Sequence, residues 1–301
     1  MRLAITGATG FVGGRLLKIA VEQGHEVVAL TRRSQNERHG VTWVQGALDN
    51  RRALQRLVEQ ADAVIHVAGV ISAPDAAGFE TGNVTGTLAL LAAATATGVR
   101  RFVHVSSLAA REPGLSLYGA SKARSEELVQ RSGLDWAIVR PPAVYGPGDR
   151  ETLELFKAAR LGLVPLPPKG RLSLIHADDL SRLLLALAAE DAPSQLLVEP
   201  DDGRLGGWTH REFAAALAAA QDRRALSLSV PASLVKFGAR VDRLLRRGKA
   251  KLTPDRAAYF CHPDWTVDPA RRPPESLWVP QIPTPEGLAD TASWYERQGW
   301  L

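Results

Sequence analysis

The sequence contains a single cysteine, Cys261, among its 301 residues. One thiol excludes an internal disulfide framework and a cysteine-rich metal site, and we expect a reducing, cytoplasmic location. No apolar stretch approaches the roughly 20 residues that cross a bilayer. The chain opens on a strand-like run instead of a signal-peptide pattern. We therefore expect no integral membrane segment.

Acidic residues are outnumbered by basic ones, 32 against 37, which gives a formal net charge of +5. That balance suits an anionic ligand such as a phosphorylated cofactor. The basic residues are diffuse, and no block of lysines and arginines is interleaved with aromatic residues. We therefore expect a small-molecule substrate and no nucleic-acid partner.

Short apolar runs and helix-like segments alternate over the first half of the chain. Strand-like runs cover residues 3–6, 27–30, 41–44, 63–67, 102–105 and 136–139, and helical periodicity covers residues 11–23, 51–60, 84–97 and 118–131. This alternation is typical of βαβ units, in which helices cover both faces of a parallel sheet. We predict an α/β fold with a doubly wound parallel sheet, the Rossmann fold, as a dinucleotide-binding domain over residues 1–148.

The pattern is looser after residue 148. Residues 163–170 are rich in proline and glycine and are predicted to form a loop. Further helices are predicted at residues 179–189, 210–221 and 285–297, and a strand at residues 195–198. We interpret residues 149–301 as a smaller, mainly substrate-binding lobe, with some segments that complete the main sheet.

Three glycines, Gly7, Gly10 and Gly13, separate the first predicted strand from the first predicted helix. In such a turn the backbone can approach a pyrophosphate, and the helix N-terminus is aimed at the negative charge. A tight turn without a ligand is the alternative, because glycine-rich turns are common in α/β proteins. The turn predicts a dinucleotide site.

The second predicted strand runs into Arg32 and Arg33 and lacks a carboxylate for the ribose 2′-hydroxyl of NAD. Two guanidinium groups are suited to the 2′-phosphate of NADP(H). We expect NADP(H) as the cofactor, with NAD as the alternative. The two arginines could instead be ordinary exposed loop residues.

A tyrosine and a lysine, Tyr118 and Lys122, share one face of a predicted helix because they are four residues apart. An ammonium group there would favour the tyrosinate, so we expect a lowered pKa of Tyr118 and a role as general acid or base. Ser107 follows a predicted strand and could hold a substrate oxygen against the phenol. Ser106 is the alternative serine, and an ordinary surface pair is the alternative for Tyr118 and Lys122.

The order of these motifs resembles the extended short-chain dehydrogenase/reductase superfamily, including the NAD(P)-dependent epimerase/dehydratase family. The matching segments are Thr6-Gly-Ala-Thr-Gly-Phe-Val-Gly13, His66-Val-Ala-Gly69, Asn83-Val-Thr-Gly-Thr87, Ser106-Ser107, Tyr118-Gly-Ala-Ser-Lys122, Val139-Arg-Pro-Pro-Ala-Val-Tyr-Gly-Pro-Gly148 and Ile175-His-Ala-Asp-Asp-Leu180.

The resemblance implies catalytic roles for Ser107, Tyr118 and Lys122, structural roles for His176 and Asp179, and no metal. It implies cofactor contacts for Gly7, Thr9, Gly10, Phe11, Val12, Gly13, Arg32, Arg33, Leu48, Val67, Ala68, Gly69, Tyr118, Lys122, Pro141 and Val144. A homodimer through the Tyr118 helix would be usual for such proteins.

These observations favour an NADP(H)-dependent oxidoreductase that acts on a carbonyl or alcohol of a small, hydrophobic substrate. One alternative is a nucleotide-sugar epimerase or dehydratase with tightly bound NAD. The other is a non-catalytic NADP-binding regulator or assembly subunit, although the intact Ser107, Tyr118 and Lys122 argue against it.

Residues 234–247 form a basic amphipathic segment whose role the pattern leaves open. One helical face collects the apolar residues, away from the basic side chains: Leu234, Phe237, Val241, Leu244 and Leu245. The segment is interpreted as a surface helix packed on the lobe. A substrate lid and a membrane-surface helix are the alternatives.

Overall fold

The computed structural model describes residues 1–167, 169–246 and 253–301. Pro168 of the predicted loop and Arg247 of the amphipathic segment lie outside the described residues, as do the side chains of Arg243, Leu245 and Arg246. The chain divides into two compact units. The first unit comprises Met1–Pro141, Ala177–Glu199 and Pro273–Val279, and the second unit comprises Pro142–His176, Pro200–Arg272 and Pro280–Leu301. The assignment of substrate binding to the later residues stays a prediction.

The described strands follow the alternation seen in the sequence. In chain order they are β1 (Arg2–Thr6), β2 (Glu26–Thr31), β3 (Val41–Gln45), β4 (Ala63–His66), β5 (Arg101–Val105), β6 (Asp135–Val139), β7 (Ala143–Tyr145), β8 (Leu163–Leu166), β9 (Arg171–Leu172), β10 (Leu174–His176), β11 (Leu196–Val198), β12 (Trp208–Thr209), β13 (Leu226–Ser229) and β14 (Asp264–Trp265).

The described helices are α1 (Phe11–Glu22), α2 (Arg51–Val58), α3 (Ala76–Phe79), α4 (Gly86–Thr97), α5 (Leu117–Gln130), α6 (Leu153–Arg160), α7 (Ala177–Ala188), α8 (His210–Ala219), α9 (Ala232–Arg246), α10 (Pro254–Phe260) and α11 (Thr284–Arg297). A π-helical segment, Glu80–Thr85, precedes α4, and a 3₁₀ turn, Leu108–Arg111, precedes α5. Among the described helices, none combines the length and apolar character needed to cross a bilayer.

The first unit contains a seven-stranded sheet in the order β11-β6-β5-β4-β1-β2-β3. Every neighbouring pair is parallel. The buried strands appear in the sequence as nearly continuous apolar runs, as parallel strands do when helices cover both faces. The predicted α/β doubly wound sheet is therefore confirmed. Strand order reverses between β1 and β4, which is where such sheets bind ligands at their carboxyl ends.

One core cluster of the first unit lies between the sheet and helices α2, α4 and α5. Leu54, Leu57, Leu90 and Phe102 are at most 1% exposed there. Helices α1 and α7 pack against each other, and α7 also contacts β4 and β5. Burial of these apolar surfaces fixes the strand ends that position the site.

The second unit contains small sheets and a separate aromatic core. Strand β7 pairs with β10, β8 pairs with β13, and β9 lies between β12 and β14. The core includes Tyr145, Phe156, Leu217, Leu288 and Tyr295.

The prediction of a loop at residues 163–170 is wrong for its first four residues, because these residues form β8. Pro165 lies in this strand, opposite Leu228 of β13. Proline is tolerated because both strands of a two-stranded ribbon are edge strands, so its missing N–H need not interrupt a second ladder. The prolines indicated a loop, and nothing in the local sequence indicated that β13 would pair with this segment.

A buried ionic cluster connects α5 to β5, β6 and the residue after β11. Glu126, only 3% exposed, accepts two hydrogen bonds from Arg140, at 2.9 and 2.7 Å. Arg140 also contacts Glu199 at 3.4 Å, and Arg111 contacts the same carboxylate at 3.3 Å. The Ser106 hydroxyl donates to Glu126. These contacts satisfy the charges that folding removes from water.

We predict that Glu126→Ala lowers the free energy of unfolding by about 3–5 kcal/mol, because it leaves the Arg140 guanidinium buried without its main partner. Urea denaturation of the purified chain measures the change. The matched control is Glu127→Ala, whose exposed side chain pairs with Arg131 across one helical turn. That control should cost less than about 0.5 kcal/mol. Equal costs for the two variants would contradict the buried-cluster account.

Candidate active site

The glycine turn lies between β1 and α1, with Gly7 in the left-handed region at φ +76°. A Cβ on Gly7 would lie 2.7 Å from the backbone nitrogen of Ala68, and one on Gly13 would lie 2.1 Å from the Gly7 carbonyl oxygen. Larger residues would therefore force the strand, turn and helix apart. The turn lets three backbone segments meet at the reversal point of the sheet.

The first turn of α1 is suited to an anion. Gly10 is its N-cap residue and offers no side chain, so no described side chain caps the helix. Thr9 and Gly10 are exposed, while Phe11 and Val12 are half-buried. Uncapped N–H groups at a helix N-terminus attract phosphate. These residues fit the pyrophosphate of a dinucleotide.

A polar chain fixes the loop that follows β4. The Thr6 hydroxyl contacts His66 Nδ1 at 2.7 Å and accepts a hydrogen bond from the Ala68 nitrogen at 3.2 Å. His66 Nε2 contacts the Thr87 hydroxyl at 2.9 Å. Burial, followed by the nearby Lys122 charge, lowers the pKa of His66 to about 3. The imidazole is therefore neutral and holds residues 67–69 in place.

Asn83 connects this loop to the helix that bears Lys122. Its amide oxygen accepts from the Val70 nitrogen at 2.7 Å, and its amide nitrogen donates to the Ser121 hydroxyl at 2.9 Å. A Cβ on Gly69 would lie 3.0 Å from the Asn83 amide oxygen and 3.9 Å from Lys122 Nζ. Gly69 and Lys122 are thus neighbours. Asn83 is a positioning residue to which sequence reasoning assigned no role, although it opens one of the quoted motifs.

Ser107 and Tyr118 are neighbours, and Ser107 acts on the phenol as a hydrogen-bonding group that tends to lower its pKa. Ser107 begins the 3₁₀ turn, where its hydroxyl accepts from the Ala109 nitrogen at 3.2 Å. Helix α5 approaches that turn closely, since a Cβ on Gly119 would lie 2.6 Å from the Ala109 carbonyl oxygen. Gly119, which sequence reasoning also left without a role, therefore allows the contact between the serine and the half-buried tyrosine.

Burial raises the pKa of Tyr118, and the hydrogen bond with Ser107 acts in the opposite direction. The expected lowering of this pKa by Lys122 is not found. Lys122 is itself buried, and its ammonium donates to the Val105 carbonyl oxygen at 2.8 Å. Burial lowers the pKa of Lys122 to about 8, although Glu126 acts to raise it. Desolvation therefore dominates both groups.

The two adjacent serines point to different partners. Ser106 donates to Glu126 inside the ionic cluster, whereas Ser107 contacts Tyr118. The Ser106 hydroxyl is therefore engaged by the ionic cluster, and Ser107 is the serine that acts on the phenol.

Arg32 and Arg33 follow β2 and are exposed. The Thr31 hydroxyl shapes this turn by donating to the Arg33 carbonyl oxygen at 2.7 Å. Neither arginine forms an ion pair with another described residue. Both guanidinium groups are available to an anionic ligand at the carboxyl end of β2.

The remaining expected cofactor residues fall into two groups. Val67 follows β4, Leu48 follows β3 and packs against Gly86, and Pro141 follows β6, all within the first unit. Val144 lies on β7 of the second unit. Carboxyl ends of parallel strands meet at one edge, which places the first group on the glycine-turn side of the sheet.

A structural role was predicted for His176 and Asp179, and it stays a prediction; the contacts of Asp179 and of its neighbour Asp178 are as follows. Asp178 pairs with Arg15, with Arg15 Nε 2.6 Å from a carboxylate oxygen, and joins α7 to α1. Asp179 is 1% exposed and pairs with Arg182. His176 ends β10 in the second unit. Among the described residues, no three His, Cys, Asp or Glu side chains are grouped as a metal site.

A known protein family and two full-length relatives are similar to this chain in sequence. The sequence profile of the "NAD dependent epimerase/dehydratase family" matches residues 3–198. The chain is 38% identical to a ceramide reductase of Caulobacter vibrioides, over 99% of this chain and 96% of that protein. It is 30% identical to a 2-alkyl-3-oxoalkanoate reductase of Stenotrophomonas maltophilia, over 96% and 97% of the two chains.

The fold is also shared with solved structures. MoeE5 in complex with UDP-glucose and NAD superposes with a TM-score of 0.77 at 22% identity, over 99% of each chain. At that identity the likeness concerns the fold alone. The profile match and the full-length relatives confirm the predicted superfamily. The chain therefore belongs to the NAD-dependent epimerase/dehydratase family and is an NAD(P)-dependent enzyme of the short-chain dehydrogenase/reductase type.

Proposed function

We propose that the protein is an NADP(H)-dependent reductase that converts a ketone of a hydrophobic, alkyl-bearing substrate into an alcohol. The proximity of Ser107 to Tyr118, on the helix that also bears Lys122, is the observation that carries this proposal. Two full-length relatives have reductase names, and both names denote compounds with alkyl chains. They favour a reductase over a nucleotide-sugar epimerase.

The glycine turn and the loop after β4 would hold the dinucleotide. The uncapped N–H groups after Gly10 would receive the pyrophosphate, and Lys122, next to Gly69, would hold the ribose hydroxyls. Arg32 and Arg33 would receive the 2′-phosphate of NADP(H). When bound, this cofactor supplies the hydride that the reaction transfers.

Tyr118 would act as the general acid. Burial raises its pKa, so the phenol is protonated at neutral pH and can donate its proton to the carbonyl oxygen of the substrate. The Ser107 hydroxyl would donate a second hydrogen bond to the same oxygen and hold it beside the phenol. We assign this role to Ser107 because the Ser106 hydroxyl donates to Glu126.

We further propose a cytoplasmic location, from the single Cys261. A homodimer through α5 stays a prediction from the family resemblance.

Replacing the proposed acid tests the chemistry. We predict that Tyr118→Phe lowers kcat for ketone reduction at least about 100-fold, because the proton donor is lost. The dissociation constant for NADPH, measured by fluorescence titration, should stay unchanged. Tyr259→Phe removes a phenol hydroxyl from the second unit and serves as the control. Full turnover by Tyr118→Phe would refute the assignment.

The cofactor proposal has its own test in Arg32→Ala combined with Arg33→Ala. Loss of two charged donors should raise the NADPH dissociation constant about 10- to 100-fold. NADH lacks the 2′-phosphate, so its dissociation constant should change less than about twofold. Arg38→Ala, an exposed arginine in the same connection, is the control. An equal effect on both cofactors would show that these arginines do not contact the 2′-phosphate.

A further inference from the structure

Helix α9 of the second unit presents its apolar stripe to solvent. Leu234, Phe237, Val241 and Leu244 are 58%, 62%, 38% and 78% exposed. Their spacing places them on one face of the helix. Ala239, on another face, is fully buried. An amphipathic surface helix ordinarily turns its apolar stripe toward the core, so the orientation of α9 is reversed.

The strand that leads into α9 has exposed leucines as well. Leu226 and Leu228 of β13 are 76% and 51% exposed, and their alternation puts them on the same side of the strand. Leu163 of β8 pairs with Leu226 and is 47% exposed. Residues 226–244 therefore concentrate large apolar side chains in solvent, which marks an interaction surface rather than ordinary scatter.

Basic side chains accompany the apolar stripe. Lys236 and Arg240 are exposed on α9, and Arg223 and Arg224 are exposed just before β13. Residues 223–247 contain seven lysines and arginines and one acidic residue, Asp242. The charge of this segment is complementary to an anionic partner.

A lipid surface fits both properties better than a protein does. A basic amphipathic helix lies in the plane of a bilayer interface, where its apolar face enters the acyl boundary and its cations meet anionic headgroups. A second copy of this chain would place like charges against each other across a two-fold contact of α9.

We propose that α9, together with β13, docks the protein reversibly on an anionic lipid membrane. The stripe of Leu234, Phe237, Val241 and Leu244 enters the interface, and Lys236 and Arg240 contact the headgroups. The proposal goes beyond the proposed reductase activity and does not require it. An enzyme docked in this way would meet alkyl-chain substrates where they partition.

Flotation with vesicles tests the docking. The full chain should float with vesicles of phosphatidylcholine and phosphatidylglycerol, less with phosphatidylcholine alone, and less at high salt. Leu234→Gln with Phe237→Gln should lower the partition coefficient at least about tenfold. Lys236→Gln with Arg240→Gln should lower binding to anionic vesicles about 30-fold. Leu205→Gln, which changes a leucine that is 79% exposed outside the segment, should leave binding unchanged.

Two results would overturn the proposal. One is vesicle binding that is absent, or equal in the native chain and the Leu234→Gln/Phe237→Gln variant. The other is a change from dimer to monomer in that variant, measured by light scattering, with unaltered flotation, since a second copy would then cover α9. NADPH-dependent reduction of a water-soluble ketone should be unchanged in every variant. Because flotation needs no turnover, a failure of the proposed reductase activity would be seen separately.

Discussion

The buried Glu126 carboxylate is the contact on which the arrangement of the site depends. It lies one helical turn after Lys122, accepts both hydrogen bonds of the Arg140 fork, and receives the Ser106 hydroxyl. Helix α5 is thereby tied to the carboxyl ends of β5 and β6. A buried carboxylate with three donors resists displacement, because breaking any one contact leaves a charge or polar group without compensation. For this reason, the segment that bears Ser106 and Ser107 is held in a fixed position relative to α5, the helix that bears Tyr118.

That arrangement accounts for the electrostatics of the proposed catalytic groups. Ser106 is used by the ionic cluster, which leaves Ser107 for Tyr118. Lys122 donates to a backbone carbonyl of β5, and burial keeps its pKa near 8, while burial raises that of Tyr118. A protonated phenol beside a serine hydroxyl is poised to donate a proton, which suits carbonyl reduction better than alcohol oxidation. Thr6, His66 and Asn83 position the loop that follows β4 in a similar way.

Local sequence signals were sufficient for the main sheet and the glycine turn. Buried parallel strands appear as apolar runs, and Gly7 and Gly13 occupy positions where only glycine fits. The same signals missed β8, because its ladder depends on a partner strand 63 residues later in the sequence, as in the pairing of Leu163 with Leu226. They also missed Gly119, Asn83 and the Glu126 cluster, whose roles arise from tertiary contacts. The predicted shift of the Tyr118 pKa was wrong in direction. The four-residue spacing places Lys122 on the same helical face as Tyr118, but it says nothing about desolvation.

On the proposed function, the enzyme consumes NADPH to reduce a ketone and then releases both products. The most direct test of this proposal combines the purified chain, NADPH deuterated at the transferred position, and a 3-oxo compound with alkyl chains, analysed by mass spectrometry. We expect deuterium on the new alcohol carbon and release of oxidised cofactor in equal amount. Tightly retained NAD, together with interconversion of a nucleotide sugar and no net oxidation of NADPH, would contradict it.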